Sequence, residues 1–181
     1  MELLNLPFKS DMAVNLFLQV ALFYDAEGFI QKCKGMEFPS DLIQNLNDIT
    51  YGQRIDLSEI NAENFIMLPY FVLYPNKHID TEPIGKVIRF SFMVAEELAR
   101  LNERDEKNLS YNFDKNELKA GAKKMNHGLF GIIDNIARRC PQYSHEDILN
   151  LSQQKVYMML KIDVDNANYG KRLHEIYSEA K

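Results

Sequence analysis

The stretch Leu129-Phe-Gly-Ile-Ile-Asp-Asn-Ile-Ala-Arg-Arg-Cys140 decides the fold class. Its apolar residues Leu129, Ile132, Ile133, Ile136, Ala137 and Cys140 recur at i, i+3, i+4, i+7, i+8 and i+11. That is the spacing of one buried side of an α-helix, and Asp134, Asn135, Arg138 and Arg139 fall on the other side. Pro141 follows at once and stops the helix. No reactive grouping elsewhere is as clearly patterned, so the sequence speaks first of packing surfaces.

Working outward, Ser144-x-x-Asp147 has the form of a capping box and predicts a helix running through Ile148, Leu149, Leu151, Val156, Met159 and Leu160. Asp163 to Asn168 is rich in Asp and Asn and reads as a turn, leaving a short amphipathic piece from Gly170 to Lys181. Upstream, Asp114-x-x-Glu117 opens a further helix that Gly121 and Gly128 weaken. Thr81 and Pro83 give the cap-then-Pro start of a long helix. Its apolar side is Val87, Ile88, Phe90, Val94, Leu98 and Leu101, and its wet side Glu96, Glu97, Arg100 and Arg104. The polar run Arg104 to Tyr111 predicts an exposed loop and a sub-boundary within 104–113.

Toward the N-terminus the signals alternate. Ser10 and Asp11 cap an apolar run from Met12 to Tyr24 that predicts a central helix, and Phe29 to Lys34 forms a short segment between glycines. Pro39-Ser40-Asp41 starts another helix with Leu42, Ile43 and Leu46 as its stripe. Thr50 to Leu57 reads either as an extended segment or as a turn of helix capped by Thr50. Phe65 to Tyr74 is apolar apart from Pro69, which predicts a kink near Ile66 to Leu68. The sum is a mainly α protein: one helical domain over 1–181, a compact bundle of about six to seven helices with short loops and a minor extended segment near 50–57.

Composition narrows the function classes. The net charge of −5 argues against broad binding to nucleic acid or an anionic membrane surface, because both attract basic proteins. Cys33 and Cys140 are too few and too far apart for a disulfide framework or a CxxC metal clip, so a reducing compartment is the expectation. MELLNLPFKSDMAV lacks the basic lead of a secretion signal, and Met12 to Tyr24, broken by Asn15 and Gln19, is too short to span a bilayer. A soluble protein follows.

Chemistry-bearing patterns give way to simpler readings. His78, His127, His145 and His174 show no i, i+4 ligand pair, and His145-Glu146-Asp147 suits the positive end of a helix. Asp163-x-Asp165 begins like a calcium loop, but Asn168 stands where Gly is required and His174 where Glu is required. Lys119, Lys123 and Lys124 beside Gly121 lack the P-loop spacing and form a solvated face, which Arg138 and Arg139 could extend. Cys140 reads as a small buried hydrophobe, and Cys33 has no base placed beside it. No catalytic residue, metal ligand or cofactor is therefore assigned. Aromatics and methionines are different, because they dominate interfaces as well as cores. Phe65, Met67, Tyr70, Phe71, Tyr74, Met158 and Met159 are the candidate partner-binding residues.

Thr50-Tyr-Gly-Gln-Arg-Ile-Asp-Leu57, with Phe65-Ile-Met-Leu68 and Phe71-Val-Leu-Tyr-Pro75, resembles a run in small bacteriophage proteins of the tail-assembly-chaperone type. The helices Leu129–Cys140 and Ser144–Leu160 are similar to the helical C-terminal parts of phage morphogenesis proteins. The chain departs from that pattern in its apolar region before Pro39 and at Asn76. The resemblance implies a non-enzymatic assembly or structural protein that binds other phage proteins, in the host cytoplasm or the virion, with homo-oligomers among its states. A virion ring or connector component is the alternative. A small helical enzyme or nucleic-acid-associated regulator is the reading from another class.

The stripe itself yields a test. Ile136→Asp places an unpaired carboxylate on the packing side, and we expect a loss of about 3 kcal/mol or more, seen as a large drop in melting temperature. Melting equal to that of the parent would show that the stripe faces solvent.

Overall fold

The structure is a computed structural model. It describes residues 41–179 except 62, 112 and 123–126, together with Gly28, Gln31 and Gly35. The expected Met12–Tyr24 helix, the Phe29–Lys34 segment and Cys33, Pro39, Ser40, Lys123 and Lys124 lie outside the described residues. Seven α-helices occur among the described residues: α1 (Tyr51–Ser58), α2 (Leu68–Leu73), α3 (Ile84–Asn108), α4 (Lys115–Lys119), α5 (Gly128–Arg139), α6 (His145–Asn150) and α7 (Gln153–Glu179). No strand occurs among them, so the chain is mainly α as its periodicity implies. By contacts the chain divides into two units, one of residues 1–46 and 55–100 and one of residues 47–54 and 101–181.

The first unit is built around the early turns of α3. Val87, Ile88, Phe90, Val94 and Leu98 are buried, the stripe that its spacing predicts. Tyr70 of α2 meets Phe90 edge-on with centroids 4.9 Å apart, and Phe65 meets Phe92 in the same way at 5.2 Å. Ser91, without solvent contact, lies with Oγ 3.0 Å from the carbonyl oxygens of Val87 and Ile66, which ties the turn before α2 to α3. Pro69 does not kink a longer helix. It occupies the first turn of α2, where an N–H has no intrahelical acceptor, and the chain turns over Glu63–Met67 instead.

The helix expected after Pro39-Ser40-Asp41 is absent from residues 41–49. Leu42 and Leu46 are buried all the same. Their segment is held from outside: the Ile43 N–H donates to Tyr74 Oη at 2.7 Å and the Leu46 N–H to Glu97 Oε2 at 3.3 Å. Asn45, Asn47 and Asp48 are also residue types that disfavour a helix interior. Asp41 completes the fastening, accepting from Lys77 Nζ and Lys86 Nζ at 2.8 Å each, while Glu82 lies 2.7 Å from Lys86. Hydrogen bonds from Lys77 and Lys86 hold the Asp41 carboxyl well below the usual carboxylate range.

In the second unit the ambiguity at Thr50 resolves toward the helix. Thr50 Oγ1 accepts from the Gln53 N–H at 3.1 Å and Gln53 Oε1 accepts from the Thr50 N–H at 3.0 Å, a reciprocal cap. What is extended is a single antiparallel bridge between Thr50 and Ser152, with the Tyr51 N–H donating to Leu151 O and the Gln153 N–H to Ile49 O, both at 2.8 Å. That bridge divides the helix expected from Ser144 to Leu160 into α6 and α7. Gly52 lies so close to α6 that a Cβ there would come 3.3 Å from the Leu149 carbonyl oxygen.

Three further expectations are corrected. Residues 104–108 are helical, because Arg104 and Asp105 are drawn into contacts rather than left in water. Asp163 to Asn168 is an interior part of α7 and not a turn. Lys161 and Asp165 pair across one helical turn at 2.8 Å, and Asp163 pairs with Arg139 of α5. The intrinsic penalty of Asp or Asn in a helix, about 0.7 kcal/mol each, is small beside such anchoring. Cys140 is half-buried instead of buried. Both capping boxes form, Gly128 opens α5 with φ +55°, and Ile133 and Ile136 are buried, but Leu129, which the spacing puts on the same side, is exposed in the first turn of α5.

The Tyr70 hydroxyl is buried without a hydrogen-bond partner among the described residues. Tyr70 is 1% exposed and its hydroxyl has no hydrogen bond, and burial pushes its pKa far up. Removing that oxygen removes its desolvation cost, so Tyr70→Phe should leave stability unchanged or raise it by about 1 kcal/mol in urea denaturation. A loss of that size would reveal a partner for the phenol.

Candidate protein-contact surface

One polar grouping of the second unit is inward-facing. Gln153, the first residue of α7, has no solvent exposure. Its Oε1 accepts from Arg54 Nη1 at 3.3 Å and from Arg104 Nη2 at 3.2 Å, and its Nε2 donates to Asn47 O at 3.4 Å. Asp105 neutralises the same two guanidiniums, with Arg54 Nη1 2.8 Å from Oδ2 and Arg104 Nη2 2.9 Å from Oδ1. Arg104 Cζ lies over the Tyr157 ring, 3.7 Å from its centroid, and Nη1 also reaches Gln154 Oε1 at 2.8 Å. Each strong donor here faces an acceptor from the same group, so the arrangement joins α1, the end of α3 and the start of α7. Its groups are occupied by one another.

A second grouping fastens the loop before α4 to α7. Tyr111 Oη donates to Glu117 Oε1 at 2.5 Å, and Lys171 Nζ lies 3.1 Å from Glu117 Oε2. The Tyr111 hydrogen bond, the Asp114 backbone N–H and Lys171 together bring the Glu117 carboxyl down to about 2. Among the described residues no group of three or more His, Cys, Asp and Glu side chains is placed to hold a metal ion. No helix of the described residues is long and apolar enough to cross a membrane.

The predicted contact residues separate by exposure. Tyr70 is core, and Phe65, Met67, Tyr74 and Met159 are half-buried. Phe71 and Met158 stand out in solvent at 52% and 46%. Phe71 belongs to the first unit and Met158 to the second. Ten large apolar side chains are exposed among the described residues, and α5 and α7 carry seven of them: Leu129, Phe130, Met158, Ile162, Tyr169, Ile176 and Tyr177. The exposed large apolar side chains are therefore concentrated on the C-terminal helices, and the aromatic stretch 65–74 contributes only Phe71 to them. Phe130 is the most exposed of all at 65%, its ring held edge-on by His145 at 5.4 Å. Sequence reading missed Ile162, Tyr169 and Ile176 because it broke the helix at Asp163. Their spacing of seven residues was the available signal.

The class that these observations define is an all-α protein with polar interior joints and an apolar outer surface on its last helices. No family model, curated protein or solved structure matches the chain.

The polar joint is testable by removing its one anion. Asp105→Ala leaves Arg54 and Arg104, with side chains 14% and 18% exposed, without their counter-charge, and should lower stability by about 3 kcal/mol. Glu103→Ala on the exposed side of the same helix should stay within about 0.5 kcal/mol of the parent. Equal urea midpoints for the two variants would remove the joint from the account.

Proposed function

We propose that the protein acts by binding other polypeptides through the apolar outer side of α5 and α7, with no chemical step of its own. The observation that carries this is Phe130. It stands 65% exposed beside the 38% exposed Leu129, on a helix whose Ile133 and Ile136 already supply its core contact. An aromatic ring left in water on a helix with a complete buried side is the usual anchor of an interface. In its finer form the reading is an assembly chaperone or virion component of the phage type, which holds an amphipathic helix of a structural partner on this surface. What supports the finer form is the resemblance of Thr50–Leu57 and Phe65–Pro75 to tail-assembly chaperones. Within this chain Thr50, Gly52 and Gln53 of that motif cap α1 and fit it against α6, which is a folding role that leaves the outer helices for contact.

The test compares the parent with a Leu129→Ser, Phe130→Ser double variant of unchanged melting temperature, each cross-linked in an extract of the native source. A protein captured by the parent and lost from the variant is the expected result, and co-expression should raise that protein's soluble yield. Equal capture by both forms, or no capture by the parent, overturns the reading.

A further inference from the structure

Helix α7 is apolar on two opposite sides. One side carries Gln153, Val156, Tyr157, Val164 and Lys171, which are turned into their own unit. The other carries Met159, Ile162, Asn166, Tyr169, Leu173 and Ile176, alternating by three and four residues as the a and d positions of a coiled coil do. Ile162, Tyr169 and Ile176 are 52%, 59% and 62% exposed and Met159 and Leu173 are half-buried, so among the described residues this seam is left largely open. Gly170, flanking the seam, would place a Cβ in open space, so nothing in one copy explains a helix-interior glycine there.

We infer that a second copy of this chain covers the seam, with the two α7 helices antiparallel. Two features of the sequence point to that occupant. First, the seam is self-complementary in the antiparallel sense: Met159 falls opposite the second copy's Ile176, Ile162 opposite its Leu173, and Asn166 opposite its Tyr169, and the two-fold repeats each pair. The central layers thereby join an amide to a phenol, the one combination in the seam able to hydrogen-bond and so to fix register. Second, the flanking charges match. Asp165 and Arg172 are exposed and occupy the same flank of the seam, and the antiparallel arrangement sets each against the other in the second copy, twice over. In a parallel pair Asp165 would face Gly170 and Arg172 would face Tyr177, and neither contact joins opposite charges. Asp165 now pairs with Lys161 on its own helix, an exposed contact of little energy that can be exchanged or shared.

The inference rests on the contact reading for α7 alone and leaves the Leu129–Phe130 surface for another partner. The experiment is sedimentation equilibrium of the full chain at up to about 100 μM, a range that covers micromolar affinity. The expected species is a dimer with twice the 21.1 kDa chain mass. Ile162→Glu with Leu173→Glu should give a monomer of unchanged helicity by circular dichroism. Arg172→Asp should raise the dimer Kd by about tenfold, and Asp165→Arg added to it should restore the parent value. A monomeric parent overturns the inference, and so does a dimer indifferent to the seam substitutions. A dimer that the seam substitutions abolish but the charge exchange fails to rescue overturns the antiparallel arrangement. None of these results depends on partner capture through Phe130, so the two readings fail separately.

Discussion

The second unit depends on a neutral amide with no access to water. Gln153 begins α7 and is simultaneously the acceptor for two guanidiniums and a donor to the chain before α1. A glutamine buried in this way is costly unless each of its polar atoms is satisfied, and a guanidinium beside it is costlier still. Asp105 settles both conditions by carrying one negative charge between Arg54 and Arg104. Because the acceptors belong to three separate stretches of sequence, the joint forms only when α1, the end of α3 and the start of α7 have all folded. Apolar packing alone would tolerate sliding between those helices, whereas directed hydrogen bonds fix their register.

This coupling explains which parts of the fold were legible in the sequence. Helices whose signals are local were read correctly: the α3 stripe, the Ser144 and Asp114 caps, the weak point at Gly128 and the Pro141 stop all act within a few residues. The misreadings occur where a long-range partner decides the local conformation. Residues 41–49 have a helical stripe, yet their backbone N–H groups are claimed by Tyr74 and Glu97. Residues 104–108 look solvated, yet Arg104 lies on Tyr157. The break at Leu151–Ser152 comes from a bridge to Thr50, about which the sequence of α6 and α7 carries no information.

Asp163 is the instructive case, because one wrong boundary concealed the candidate surface. Four Asp or Asn residues between 163 and 168 look like a turn on propensity. Propensity is a weak prior, and ion pairs to Arg139 and within the helix override it here. Once the helix is continuous, residues that had seemed scattered over two segments become a single line. The predicted contact residues Met158 and Met159 prove to be the near end of that line, while Tyr70 turns inward as part of the aromatic core around Phe90.

A helix with two apolar sides poses a solubility problem, and its solution constrains what the protein can do. The inner side is secured by Gln153 at one end and by Lys171, paired with Glu117, near the other, so α7 cannot easily roll to hide its outer side. Rolling it by half a turn would place Lys171 in water and strand Glu117 and Tyr111 without their cation. On the reading proposed, the outer side is the one left for a partner to cover. Exposed Asp165, Asn166 and Arg172 keep that side wet enough to stand free at low concentration, and they are also the groups that limit which helix can lie along it. An interface of the kind proposed is selective because its polar positions reject partners that place hydrophobic or like-charged groups opposite them.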